Sequence, residues 1–182
     1  MNRPLLLRTM IATLALSVGA FATPATAQKK SPAEEAILLG QFGDWGAYKA
    51  KPNGHEVCFA LSKPTKGVTD PPGRNRDQAY AFISTRPAEK VKNEVSIIVG
   101  YPQKVGHDAQ ATIDDSAKFT LYTQDDGAWV KNAAQEAQMV ATMRKGSQMV
   151  VVSESSRGTT TTDTYSLKGV SDALDKVAAS CK

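Results

Sequence analysis

Residues 169–182, GVSDALDKVAASCK, decide how the rest of the chain is read. Taken as a helix beginning at Ser171, they place Ala173, Leu174, Val177, Ala178 and Cys181 on one stripe, the spacing of a helix that faces a core. Cys181 then points inward. The only other cysteine is Cys58, in the run His55 to Ser62 (HEVCFALS). Strand geometry sends alternate side chains to opposite faces. Val57, Phe59 and Leu61 are therefore expected to line the core, with Cys58 and Ala60 on the other face. A Cys58–Cys181 bond is compatible with both assignments if the last helix lies across the outer face of that sheet, above Ala60.

The N-terminus says where such a bond forms. Residues 1–27 have a short basic start (Arg3, Arg8), an apolar run from Met10 to Ala22, and Ala25-Thr26-Ala27 before Gln28. This is the pattern of a secretory signal with an A-x-A cleavage site, and the apolar run is too short to span a bilayer. Cleavage leaves 182 − 27 = 155 residues, enough for one domain with a sizeable core. A periplasmic location is expected, with secretion or outer-membrane association as variants. No transmembrane segment is expected after cleavage. In an oxidising compartment two cysteines pair most simply as one disulfide. Closing a loop of 181 − 58 = 123 residues is worth on the order of 5 kcal/mol in the chain-entropy model. Without the two signal arginines the charge is 20 basic against 18 acidic residues, too balanced to suggest a nucleic-acid partner.

Residues 28–40 read as a poorly ordered start and 41–182 as a single domain. Strands are expected at Gln41–Lys49, His55–Ser62, Ala79–Thr85, Glu94–Gly100, Asp108–Ile113, Lys118–Thr123, Met149–Ser153 and Thr160–Leu167. Asp114-Asp115-Ser116 reads as a hairpin turn, and Asp125-Asp126-Gly127 as a turn that lacks the alternating ligands of a calcium loop. Between Asn132 and Gly146 the period becomes helical, with Ala133, Ala137, Val140, Ala141 and Met143 on one stripe. Asn132 and Gln135 resemble a capping box, and Gly146 a stop. About eight close-spaced strands and two short helices predict a mainly β, antiparallel sandwich with the helices as covers. Lys63 to Asp77 (KPTKGVTDPPGRNRD) reads as one long loop. Its basic residues Lys63, Lys66, Arg74 and Arg76 make it either a solvated connector or a candidate interaction loop.

Several motifs in order resemble one family. FGDW at residues 42–45, a cysteine in the next strand, MRKG before MVVV, and YSLKGVSDAL from Tyr165 are similar to the invasion-associated locus B family of exported alphaproteobacterial proteins. The resemblance runs from Phe42 to Cys181. It implies an immunoglobulin-like β-sandwich, a periplasmic or surface-associated home and, in some pathogens, a link to host-cell entry. It implies no catalytic residues. Typical members carry further cysteines in mid-chain, which this sequence lacks.

Chemistry-bearing patterns are sparse. His55 and His107 belong to no cluster with metal-ligand spacing, so neither a metal nor a cofactor is expected. No nucleophile elbow, phosphate loop or dinucleotide fingerprint occurs. Asp114 and Asp115 are adjacent and would diverge in an extended segment. Trp45 and Trp129 read as core aromatics. Thr159 to Thr162 suggests an edge strand open to β-augmentation. Two functional readings follow. One is a non-enzymatic envelope or surface interaction domain whose partner is an unidentified protein or envelope component. The other is a small periplasmic ligand-binding protein or hydrolase with a site near His107 and the loop Lys63 to Asp77.

Overall fold

The computed structural model describes residues 36–182, so the signal sequence and most of the expected N-terminal tail lie outside the described residues. The strands are β1 (Ile37–Phe42), β2 (Trp45–Ala50), β3 (Val57–Ser62), β4 (Lys66–Asp70), β5 (Tyr80–Arg86), β6 (Val91–Ile98), β7 (Ala109–Ile113), β8 (Ala117–Gln124), β9 (Gly127–Val130), β10 (Gln148–Glu154) and β11 (Thr160–Ser166). The helices are α1 (Ala133–Met143) and α2 (Val170–Ser180). All strands join one antiparallel sheet in the order β1-β2-β3-β5-β6-β9-β8-β7-β10-β11-β4. The fold is thus mainly β with two covering helices, as the pattern predicts, but the strands form one continuous sheet. An open sheet this wide curls under its own twist. Here the curl brings the two ends together: Trp45 Nε1 donates to the Ser166 carbonyl at 2.9 Å, and the Asp44 N–H donates to the Lys168 carbonyl at 3.0 Å.

Three elements differ from the sequence reading. Gln41–Lys49 divides into the β1/β2 hairpin, because Gly43 takes a left-handed conformation (φ 55°). The sheet also begins at Ile37, earlier than expected. β9, too short to show a period, follows the turn at Asp125 and Asp126. β4 lies inside the expected long loop, and it covers β11, so Thr159 to Thr162 is not an edge. Other local signals hold. Asp114 (φ 47°) and Asp115 (φ 58°) close the β7/β8 hairpin with the two left-handed residues of a tight turn. The Asn132 side chain accepts from the Gln135 N–H at 3.0 Å and caps α1. The buried face of α1 is Met139, Val140 and Met143; the alanines of the expected stripe face solvent, their methyls being too small to compete for burial.

The face of β3 is the principal correction. Cys58 and Ala60 are wholly buried and belong to the core cluster; Ala60 is in cross-strand register with Ala47 and Ile83, which pairs in turn with Val95, and Cys58 with Lys49 and Thr85. Val57, Phe59 and Leu61 are on the outside, where Phe59 shelters between Tyr48 (ring centroids 5.4 Å apart) and Phe82 (5.6 Å). Period-two alternation fixes which residues share a face but not which face is inner. The outer face is apolar enough to mislead because the aromatic rings of Tyr48 and Trp129 fold onto Gly46 and Gly127, two residues earlier in each strand. Trp45 is core; Trp129 is half-buried on the outer face, stacked on Tyr122 at 5.6 Å.

α2 lies across β1, β2, β3 and β5 with Val170, Ala173, Leu174 and Val177 buried. Cys181 at its end is bonded to Cys58, with Cα atoms 5.8 Å apart. Gly169 starts the helix at φ 91°, and a Cβ there would meet the Phe42 carbonyl oxygen at 1.8 Å. Only glycine lets the β11–α2 turn lie against the end of β1. Arg144 ties the two helices together, donating to Asp175 at 2.9 Å and to the Ser171 carbonyl at 3.2 Å.

Cys58→Ala and Cys181→Ala should each lower stability by about 2–5 kcal/mol, read from denaturant midpoints. Because both remove the same link, the double variant should be no worse than either single. Additive losses would show that each cysteine acts through its own packing.

Candidate functional site

Where the core runs out, between the β4–β5 connection and the β10–β11 turn, the interior becomes polar. Core-facing positions of β10 and β11 change from Met149, Val151 and Tyr165 to Ser153, Thr161 and Asp163. Asp163 is only 1% exposed and takes a two-pronged ion pair from Arg76. Arg76 Nη1 also donates to the Val99 carbonyl at 3.0 Å. Pairing with Asp163 holds the guanidinium still more firmly charged, against the opposing effect of its burial. Beside it the Tyr101 hydroxyl and Thr161 Oγ1 are 2.5 Å apart, and burial pushes the Tyr101 phenol up. Gln103 takes a hydrogen bond from Ser153 and donates to the Gly127 carbonyl at 2.7 Å. The Tyr165 hydroxyl, buried next to this network, has no partner among the described residues; burial holds it protonated.

Next to this network opens a cleft of about 690 Å³, lined by Arg74 to Asp77, Gly100 to Pro102 and Ser155 to Arg157, with Thr69, Thr159 and Thr161. Its size is that of a small-molecule or side-chain binding site. The walls are held by backbone hydrogen bonds, Asp77 N–H to the Gly100 carbonyl at 3.0 Å and Ser156 N–H to the Pro102 carbonyl at 2.9 Å, and by Thr159 N–H donating to the Ser155 side-chain Oγ at 3.0 Å. Gly100 (φ 78°) is required, since a Cβ would meet the Asp77 carbonyl at 2.2 Å. Arg74 and Arg157 both line the cleft, are exposed and have no ion-pair partner among the described residues.

The four basic residues of the expected interaction loop separate. Arg74 and Arg76 line the cleft. Lys63 sits over the Tyr80 ring, 5.6 Å from its centroid, and Lys66 is exposed on β4. His107 is outside the cleft; its Nδ1 lies 3.2 Å from Glu154, whose carboxyl is held below the usual range by a hydrogen bond from Lys104. His55 is exposed in a turn. Sequence reasoning missed Tyr101, Asp163 and Arg157. The usable signal was Asp163, an acid at a core-parity position in an otherwise uncharged strand, which calls for a buried cation. As a metal set, Glu56 has an oxygen within 4.8 Å of both cysteine sulfurs. Those sulfurs are bonded to each other, and Glu56 is paired with Lys49 at 2.6 Å.

Asp163→Asn should cost about 3–5 kcal/mol in urea unfolding, because it strands a largely buried guanidinium. The double variant Arg76→Met/Asp163→Leu should recover most of the loss. A double variant as unstable as Asp163→Asn would contradict the ion-pair account.

Among curated proteins none matches the chain. Among solved structures the fold is similar to the crystal structure of invasion associated protein B from Bartonella henselae, with a TM-score of 0.55 at 17% identity over 79% of this chain and 96% of that one. No described helix is long and apolar enough to cross a membrane. The invasion associated locus B (IalB) protein family matches residues 49–178, and the chain belongs to that family.

Proposed function

We propose that this protein is an exported, non-enzymatic binding domain of the cell envelope, cleaved after Ala27, that engages its partner through the cleft between Arg74 and Arg157. The observation that carries this reading is the contrast among the cleft's arginines. Arg76 is neutralised by Asp163, so it is structural. Arg74 and Arg157 are unpaired among the described residues, which is how a site keeps charge available for a partner. Four of the cleft's hydroxyls are already engaged, which favours binding over chemistry: Ser155 accepts backbone N–H groups from Arg157 and Thr159, Thr69 accepts from the Arg74 N–H, and Tyr101 and Thr161 bond each other. A nucleophile needs a neighbouring base; His107 is not among the lining residues, and the one carboxylate that is, Asp77, makes no hydrogen bond to the cleft's hydroxyls among the described residues.

The test uses mature protein, residues 28–182, as bait for envelope extracts. Arg74→Gln/Arg157→Gln should lose most of the captured material, and His107→Ala should keep it. Loss with His107→Ala and retention with the arginine pair would favour a hydrolytic or ligand-binding site near His107.

A further inference from the structure

β4 is an outer strand of the sheet, hydrogen-bonded to β11 on one side and to no strand on the other among the described residues. An unpaired edge presents backbone N–H and C=O groups ready to bind another strand, and natural edges are blunted by short length, charged side chains, prolines or bulges. β4 is short and proline-bounded, but its two charges are of opposite sign, so they can complement a second copy of the same strand. Its sequence is Lys66-Gly67-Val68-Thr69-Asp70, mostly exposed, with Val68 at 48%. Lys66, Val68 and Asp70 share the outer face, opposite Thr164, Thr162 and Thr160 of β11. Gly67 and Thr69 turn to the other face, where the side chain of Arg76 packs against Gly67. Lys66 and Asp70 have no ion-pair partner among the described residues.

We propose that β4 is the docking edge for a second copy of this chain, the two strands pairing antiparallel about a two-fold axis at Val68. In such an isologous contact residue i meets j and j meets i. Centring on Val68 puts Lys66 opposite the second copy's Asp70 twice over, Val68 opposite itself, and small Gly67 opposite Thr69. Sliding by two residues either way sets Lys66 against Val68 or a proline and Asp70 against a proline or Val68, so both charge pairs are lost. Pro64 and Pro71-Pro72 bound the strand and confine pairing to these five residues. Five residues a side fall short of the roughly 1,200 Å² of standard interfaces, so the dimer is weak and concentration-dependent. The opposite edge, β1, carries exposed Ile37 and Leu38 but no such charge symmetry, and it serves as the control. The inference is independent of what the cleft binds.

Cross-linking captures a weak contact. In the mature protein Val68→Cys should give a disulfide-linked dimer under mild oxidation faster than Leu38→Cys on β1, since directly opposed Cβ atoms lie about 4.5–5.5 Å apart in an antiparallel pair. Adding Lys66→Asp sets like charges opposite each other and should slow cross-linking roughly two- to thirty-fold. Adding Asp70→Lys as well restores opposite pairs and should restore the rate. Circular dichroism checks that each variant is folded. Equal rates at the two edges, indifference to the charge reversal, failure of the swap to rescue, or trapping of a different protein in cells would each overturn the proposal.

Discussion

The fold depends on the burial of one sheet face, the one that carries Cys58 and Ala60 in β3. The eleven antiparallel strands of the described residues have to cover that face with something, and curling brings only part of it against itself. α1 covers it over β6, β8 and β9, and α2 over β1, β2, β3 and β5. Burial of Val170, Leu174 and Val177 contributes roughly 1.5–3 kcal/mol each, and the disulfide removes the freedom of a 123-residue loop. The closing helix and its anchor act on the same surface. Gly169 permits this, because nothing larger fits between the start of α2 and the Phe42 carbonyl.

The apolar core does not fill the whole interior. Toward the β10–β11 turn the inward positions carry hydroxyls, amide and carboxylate. Each such group needs a partner or costs several kcal/mol. Arg76 reaches in from the β4–β5 connection to pair with Asp163, and Tyr101 and Gln103 satisfy Thr161 and Ser153. This polar plug anchors the loop that carries Arg74. Folding and the shape of the cleft are coupled here: the connection after β4 is held by a charge buried in β11, 87 residues away.

How much was legible in the sequence follows from which signals are local. The α1 cap at Asn132, the Asp114-Asp115 turn and the strongest strands are set by nearest neighbours and read correctly. The inward stripe of α2 was legible except at Ala178, which is exposed, and so was the bond to Cys58, since two cysteines leave one pairing. Which side of β3 faces in was not. Alternation carries no sign, and Phe59 outside looks the same as Phe59 inside until its partners Tyr48 and Phe82 are known. β4 was hidden because an exposed edge strand needs no apolar period. The cleft drew Arg74 from the expected loop but Tyr101 and Arg157 from elsewhere, and that convergence is set by sheet order alone.

The central claim is that α2 completes the core rather than decorating a sandwich already closed beneath it. Thermal and denaturant unfolding of a chain ending at Leu167, followed by near-ultraviolet circular dichroism, tests this directly. Without α2 the faces of Ala47, Cys58 and Ala60 are open to water, and the shortened chain should show no cooperative transition. A cooperative transition close to that of the full-length protein would mean that the sheet closes on its own, and would contradict the account.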